Sequence, residues 1–239
     1  MKMNPKRWIY KITGIALLGF GLWRGLTMAI PQIPILDETW RNIIFHVPMW
    51  YVMMIMLMVS VVFSVMQLTK RDEITDLKAS ASAKIGVFFG LLGLATGIVW
   101  SRVTWGSAIS SNWNFKAWWA WDPKQTSALV LLLIYAGYFL LRSSLQEPAQ
   151  KARISAVFNL FGAALIIPAF YLIPKFLGGL HPGSGEEGPL ASLKSLDNDH
   201  RLVLYPTALG FLLLAFWLME LIVRTRIAEE KILDFSERQ

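Results

Sequence analysis

The three histidines of this chain are the side chains best suited to bind a metal. His46 stands just before Val47-Pro48, where we expect the proline to open a helix, whereas His181 and His200 lie in a later segment. Two neutral imidazoles can supply both axial ligands of a haem iron and leave it six-coordinate. Zinc is the competing metal, and an isolated histidine is more often an ordinary polar side chain at a boundary. The histidines alone leave these interpretations open.

An unusually dense aromatic segment lies between Trp113 and Asp122. It holds five large aromatic side chains within nine residues, namely Trp113, Phe115, Trp118, Trp119 and Trp121. Such density predicts a flat, rigid apolar platform, which suits a planar ligand and has no purpose in a zinc site. The scattered tryptophans instead fit an aromatic belt at a membrane–water boundary, as for Trp8, Trp23, Trp100 and Trp217. Platform and histidines together therefore favour haem.

Asp122 has a structural interpretation as well as a functional one. It directly precedes Pro123, and an aspartate followed by proline is a typical helix start. We therefore expect Asp122 to cap the helix that follows, which is the alternative to a role in ligand binding. Basic residues near the histidines could pair with the two haem propionates. They are Arg41, Arg102, Lys116, Lys124 and Arg201. Residue type alone does not show which of them would do so.

The chain contains no cysteine. This excludes disulfides, thiolate metal sites, a thiol–disulfide shuttle and thioether attachment of haem to this chain. No segment matches the phosphate-binding pattern GxxxxGK[ST], so an ATP-driven step would belong to a partner. Any haem that this chain binds would therefore be held non-covalently.

Composition predicts the elements that position these residues. The 239 residues are 55% hydrophobic with a mean hydropathy of +0.47, which is typical of a helical membrane protein. Six stretches approach the roughly 20 apolar residues that cross a bilayer. They predict an all-α bundle forming one domain over 1–239, with spans at about 8–30, 46–68, 85–104, 125–142, 154–174 and 202–223. Lys11 and Arg24 lie in the first span, which we interpret as a retained helix whose charges reach opposite interfaces.

The third span carries glycines at helical spacing. We expect this stripe to allow close helix–helix approach; its members are Gly86, Gly90, Gly93 and Gly97. Two long connecting segments, at about 104–124 and 175–200, are of the length that tends to carry function in a compact bundle.

The distribution of charge predicts the orientation. With the amino terminus inside, the inner segments hold 15 of the 23 Lys and Arg residues. The positive-inside rule then places both termini in the cytoplasm and both long loops, with all three histidines, outside. The net charge of +7 is the basic fringe of a membrane protein and indicates no nucleic-acid partner.

Three motifs resemble those of a known family. Trp118-Trp119-Ala120-Trp121-Asp122, followed by Thr126-Ser127, is similar to the tryptophan-rich (WWD) signature of the cytochrome c assembly haem-handling family. Phe45-His46-Val47-Pro48 and Leu180-His181-Pro182-Gly183-Ser184 resemble the two ligand motifs of its CcmC-type haem delivery proteins. The similarity covers nearly the whole chain in helix number, loop placement and motif order.

The resemblance implies a site and a set of partners. Haem b would be held on the periplasmic face of a bacterial inner membrane by His46 and His181, with His200 as the alternative second ligand. The tryptophan segment would lie against it, through Trp113, Trp118, Trp119, Trp121 and Asp122. Haem would pass to a CcmE-like chaperone, assisted by an ABC-type CcmA/CcmB-like complex and a small CcmD-like subunit.

Two other functions stay open at this point. Trp121-Asp122-Pro123-Lys124 also resembles the longer CcmF and CcsA relatives, which would make the chain a haem lyase subunit that attaches haem to apocytochrome c. A membrane cytochrome of the b type would carry paired histidines inside its spans, and the predicted spans place no histidine mid-membrane.

Overall fold

All the regular secondary structure in the part of the chain that the computed structural model describes, residues 5–30, 36–105, 117–185 and 196–236, is helical. The helices are α1 (Pro5–Thr27), α2 (Ile43–Lys70), α3 (Glu73–Thr104), α4 (Pro123–Ser144), α5 (Pro148–Ala164), α6 (Ile173–Leu177) and α7 (Asn198–Ser236). A 3₁₀ helix, Asp37–Asn42, leads into α2, and a π-helical segment, Pro168–Leu172, joins α5 to α6. The predicted all-α fold is confirmed.

Five apolar helical units are long enough to cross a membrane, as judged by length and composition over the described residues. They are Glu38–Lys70, Glu73–Thr104, Pro123–Ser144, Pro148–Leu177 and Asn198–Leu233. These coincide with the second to sixth predicted spans, so the chain is a polytopic membrane protein. The first predicted span coincides with α1, where Lys11 and Arg24 lower the hydropathy, and its crossing of the bilayer stays a prediction.

Helix α1 packs along α7 through a buried ion pair. Lys11 is only 7% exposed, and its Nζ lies 3.3 Å from Glu220 Oε2. The hydroxyl of Tyr10 donates to the same carboxylate oxygen at 2.6 Å. Lys11 is therefore paired with a carboxylate on α7, and the expectation that its charge reaches an interface stays a prediction.

The glycine stripe of α3 lies against α2, as predicted. At each of Gly86, Gly90, Gly93 and Gly97 an added Cβ would come within 2.7–2.8 Å of a neighbouring side chain. Taken in the same order, the α2 side chains at those positions are Leu57, Met53, Trp50 and His46. The last two rings therefore rest directly on the backbone of α3, and the stripe positions the candidate site as well as the two helices.

A buried polar network joins α2, α4 and α5 below the site. Asn159 is fully buried, and its Nδ2 donates to Ser60 Oγ at 2.7 Å and to Ser64 Oγ at 2.8 Å. Its Oδ1 accepts from the Tyr135 hydroxyl at 3.0 Å. Polar groups in an apolar bundle are stabilising when they are mutually satisfied, as they are here.

Candidate functional site

His46 lies in the first turns of α2. The expectation that Pro48 opens this helix is wrong, since α2 begins at Ile43 and Pro48 lies inside it. The reason is the 3₁₀ helix Asp37–Asn42, which already sets a helical path upstream of α2. His46 is therefore held by helical backbone on both sides rather than by a loop.

His181 lies on the segment after α6, and its ring comes next to that of His46. The two ring centroids are 6.2 Å apart with an interplanar angle of 34°. Imidazole nitrogens bind a metal at about 2.0–2.1 Å, so two that share one metal face each other about 4 Å apart, with their ring centroids further away. The observed centroid separation is compatible with two imidazoles on opposite sides of one metal atom, and it also lies in the range of ordinary ring contacts.

Two tryptophans enclose His181 from the end of α3. The ring centroids of Trp100 and Trp105 lie 6.4 and 6.1 Å from that of His181, and 5.2 Å from each other. Trp100 therefore contacts the site, while its position in an aromatic belt stays a prediction. Nothing in its local sequence distinguishes it from a belt residue; only its position shortly before the tryptophan-rich segment hinted at this.

The environment of His181 keeps its imidazole neutral. Burial of the ring, with the positive charge of Lys124 nearby, lowers the pKa of His181 to about 3. Its Nδ1 lies 2.8 Å from the carbonyl oxygen of Pro182, and a carbonyl can only accept. The proton of the neutral ring therefore lies on Nδ1, which leaves the lone pair on Nε2, as a metal ligand needs.

Asp122 connects the tryptophan segment to the His181 segment. Its Oδ1 accepts from the backbone N–H groups of Lys124 at 2.9 Å and Gln125 at 3.2 Å, which confirms the predicted cap of α4. Its Oδ2 accepts from the N–H groups of Leu180 at 2.7 Å and His181 at 3.3 Å. One buried carboxylate thus orders both segments, a second role that the sequence did not reveal.

Gly179 makes this connection sterically feasible. Its φ of +141° lies in a region that favours glycine. An added Cβ would also collide with Asp122 Oδ2. Another residue here would separate the aspartate from the backbone of Leu180 and His181.

The tryptophan segment presents two large rings to its surroundings. Trp118 is 54% exposed and Trp121 is 75% exposed, and Trp121 has a φ of +51°, which is uncommon for a bulky residue. Trp119 is half-buried, with its ring centroid 5.9 Å from that of Trp121. These two rings meet at 80°, so they do not form one flat surface, and the role of the segment as a platform for a ligand stays a prediction; Trp113 lies outside the described residues.

The basic residues considered for the propionates have different surroundings. The guanidinium of Arg102 lies 4.1 Å from the ring centroid of Trp118, a cation–π contact beside the platform. Arg41 instead donates from Nη1 to the carbonyl oxygens of Gly25 at 2.7 Å and Met28 at 3.0 Å. Lys124 is close enough to His181 to act on it electrostatically, and Lys116 lies outside the described residues.

His200 belongs to a separate cluster. Its ring centroid lies 4.0 Å from that of Trp40, and its Nδ1 lies 2.5 Å from Asp197 Oδ1. Met28 and Val203 are buried in the neighbouring apolar cluster around Trp40. Within the described residues, the rings in contact with His181 are His46, Trp100 and Trp105.

Comparison with known proteins shows the family to which this chain belongs. The family described as "CcmC: Heme exporter protein C" matches residues 2–236. The chain belongs to the CcmC family. That match confirms the resemblance of the tryptophan and histidine motifs.

Individual CcmC relatives are similar over most of their length. Heme exporter protein C of Paracoccus denitrificans is 29% identical over 201 residues, covering 84% of this chain and 78% of that protein. The protein of the same name from Rhodobacter capsulatus is 29% identical over 242 residues, covering 97% and 90% respectively. That from Escherichia coli K12 is 28% identical over 178 residues, covering 74% and 66%.

Proposed function

We propose that this protein binds haem b non-covalently and delivers it to a CcmE-like haem chaperone for cytochrome c biogenesis. His46 and His181 are the axial ligands. Trp113, Trp118, Trp119 and Trp121 line the haem, and Asp122 holds the segment of His181 in place. The observation that carries the proposal is the 6.2 Å separation of the two imidazole rings, which come from distant parts of the chain.

The chemistry of the surroundings supports haem as the cargo. Trp100 and Trp105 add apolar ring surface beside His181, and the exposed rings of Trp118 and Trp121 extend it outward. Arg102 and Lys124 supply cations of the kind that pair with propionates. The relatives are themselves named for haem export.

The site requires an outward orientation for this delivery. Both termini are cytoplasmic and the histidine pair faces the periplasm, in line with the 15 of 23 basic residues in the inner segments. The membrane is the bacterial inner membrane, and the CcmA/CcmB-like complex and CcmD-like subunit assist release. The chain acts by binding and transfer, and no covalent bond between haem and an apocytochrome is formed on it.

Ligand substitution tests the proposal directly. The full-length protein in detergent would be loaded with haemin and its absorption spectrum recorded for His46→Ala, His181→Ala and His200→Ala. We expect the first two variants to lose the six-coordinate, low-spin spectrum and most of the bound haem, whereas His200→Ala keeps both. An unchanged spectrum in His181→Ala, together with loss in His200→Ala, would show that His200 is the second ligand.

A further inference from the structure

Both ring nitrogens of His46 have hydrogen-bond partners. Nδ1 lies 3.1 Å from the hydroxyl oxygen of Thr96 on α3. The indole Nε1 of Trp50, one turn further along α2, lies 3.2 Å from Nε2. The same Nε2 is the atom that would bind iron if Nδ1 keeps its contact with Thr96.

The chemistry of these partners determines where the proton of His46 lies. The indole N–H of Trp50 can only donate, so the nitrogen it faces, Nε2, carries the lone pair. The hydroxyl of Thr96 lies 2.9 Å from the carbonyl oxygen of Leu92 and 3.0 Å from that of Gly93, which can only accept. The hydroxyl proton goes to one of them, so Thr96 accepts from Nδ1–H.

The opposite tautomer is unfavourable at both ends. A proton on Nε2 would face the indole N–H of Trp50 with no acceptor between them. Nδ1 would then lack a proton opposite a hydroxyl whose own proton is used by the backbone of α3. The two contacts therefore select the same tautomer independently of each other.

The packing of α2 on α3 holds these groups in place. His46 and Trp50 are four residues apart on α2, and the glycines beneath them, Gly97 and Gly93, are four apart on α3. The side chains share one face of each helix because of this spacing. Phe170 covers the other side of Trp50, with ring centroids 5.1 Å apart.

We propose that Thr96 and Trp50 are positioning residues for haem binding at His46. Thr96 holds the ring in the Nδ1–H tautomer and makes Nε2 a better donor to iron. Trp50 donates to the lone pair of Nε2 that an iron would need, so haem would have to displace this hydrogen bond to bind at His46. This inference rests on the proposed function, since it requires His46 to be an axial ligand. The competition by Trp50 weakens binding, which suits a protein that must release its cargo.

We predict that substitutions of the two residues change haemin affinity in opposite directions. Haemin affinity, haemin dissociation rate and the midpoint potential of the bound haem would be measured for the full chain in detergent. Trp50→Phe should bind haemin about 2- to 10-fold more tightly and release it more slowly, the equivalent of one ordinary hydrogen bond. Thr96→Val should bind it about 10- to 100-fold more weakly, as for other partners behind a metal-bound histidine.

The midpoint potential separates positioning from simple packing. Loss of the acceptor at Nδ1 makes the imidazole a poorer donor and destabilises ferric relative to ferrous haem, so Thr96→Val should raise the potential. Thr96→Ser keeps the hydroxyl and should restore both affinity and potential. Trp23→Phe, an exposed indole on α1, is the matched control and should leave all three quantities unchanged.

Failure of this inference can be told apart from failure of the proposed function. If His46→Ala keeps its six-coordinate spectrum, His46 is not a ligand and both ideas are wrong. If His46→Ala loses the spectrum but Trp50→Phe and Thr96→Val bind haemin like the parent, only the inference is overturned. Weaker binding in Trp50→Phe would likewise overturn the competing role of Trp50.

Discussion

The carboxylate of Asp122 accepts a hydrogen bond from the backbone of His181, with 3.3 Å between Oδ2 and the amide nitrogen. Its other oxygen caps α4, and the residue is only 3% exposed. The aspartate of the tryptophan signature can therefore affect haem binding without contacting haem itself. It joins the tryptophan segment to the second histidine segment through hydrogen bonds.

Removal of this carboxylate should affect haem more than stability alone explains. We expect Asp122→Ala to cost about 0.5–2 kcal/mol through loss of the cap and to reduce haem content, since the His181 segment loses its anchor. The reduction should be smaller than in His46→Ala, because both imidazoles remain. Haem content per protein and the thermal unfolding midpoint would be measured together.

Asp72 offers a matched control for this prediction. Its side chain caps α3 by accepting from the backbone of Thr75 at 3.1 Å, as Asp122 caps α4. Asp72→Ala should lower the unfolding midpoint and leave haem content unchanged. Equal haem loss in both variants would mean that Asp122 acts only through general stability.

The glycine beneath His46 should tolerate no side chain. In Gly97→Ala the added Cβ would lie 2.7 Å from His46 Cε1, so the ring must shift. We expect a mixed or five-coordinate spectrum and weaker haemin binding. Gly86→Ala meets Leu57 instead and should reduce stability without changing the spectrum of the bound haem, whereas Gly19→Ala, which has no neighbour within 4 Å, should change neither. A normal spectrum in Gly97→Ala would contradict the placement of His46.

The exposed tryptophans should contribute more to transfer than to retention. Loss of one aromatic contact costs roughly 0.5–1.5 kcal/mol beyond the lost area, far less than loss of an iron ligand. Trp118→Ala and Trp121→Ala should therefore keep much of the haem but impair transfer to the chaperone. Haem content and co-purification of the chaperone would be compared with Trp8→Ala, an exposed indole on α1 that is 47% accessible. If both platform variants support cytochrome maturation like the parent, these rings only anchor the loop in the interface.

Reporter fusions test the orientation on which delivery depends. The distribution of basic residues predicts that fusions at Asp76 and Gln150 are cytoplasmic and that fusions at Ser111 and Glu187 are external. A dual reporter would measure this, because each of its two moieties is active on only one side of the membrane. A cytoplasmic signal at Ser111 would remove the geometric basis for periplasmic delivery.

Several features of this protein follow from the sequence because they depend on neighbouring residues alone. Hydropathy over about 20 residues predicts the spanning helices, and Asp122 followed by Pro123 predicts the cap of α4 because capping acts within one turn. The glycine stripe of α3 predicts a close helix contact because it lies on one helical face.

The remaining features depend on which helices meet and in what register. Lys11 is buried because Glu220, near the other end of the chain, lies opposite it. The sequence around Trp100 is typical of a belt residue, and only the fold shows that its ring contacts His181. The hydrogen-bond partners of His46 likewise do not follow from the sequence, since the contact with Thr96 exists only in the observed register of α2 on α3. Hydropathy and helical period act over a few turns of one helix, whereas a hydrogen bond between helices requires atoms to meet within about 3 Å.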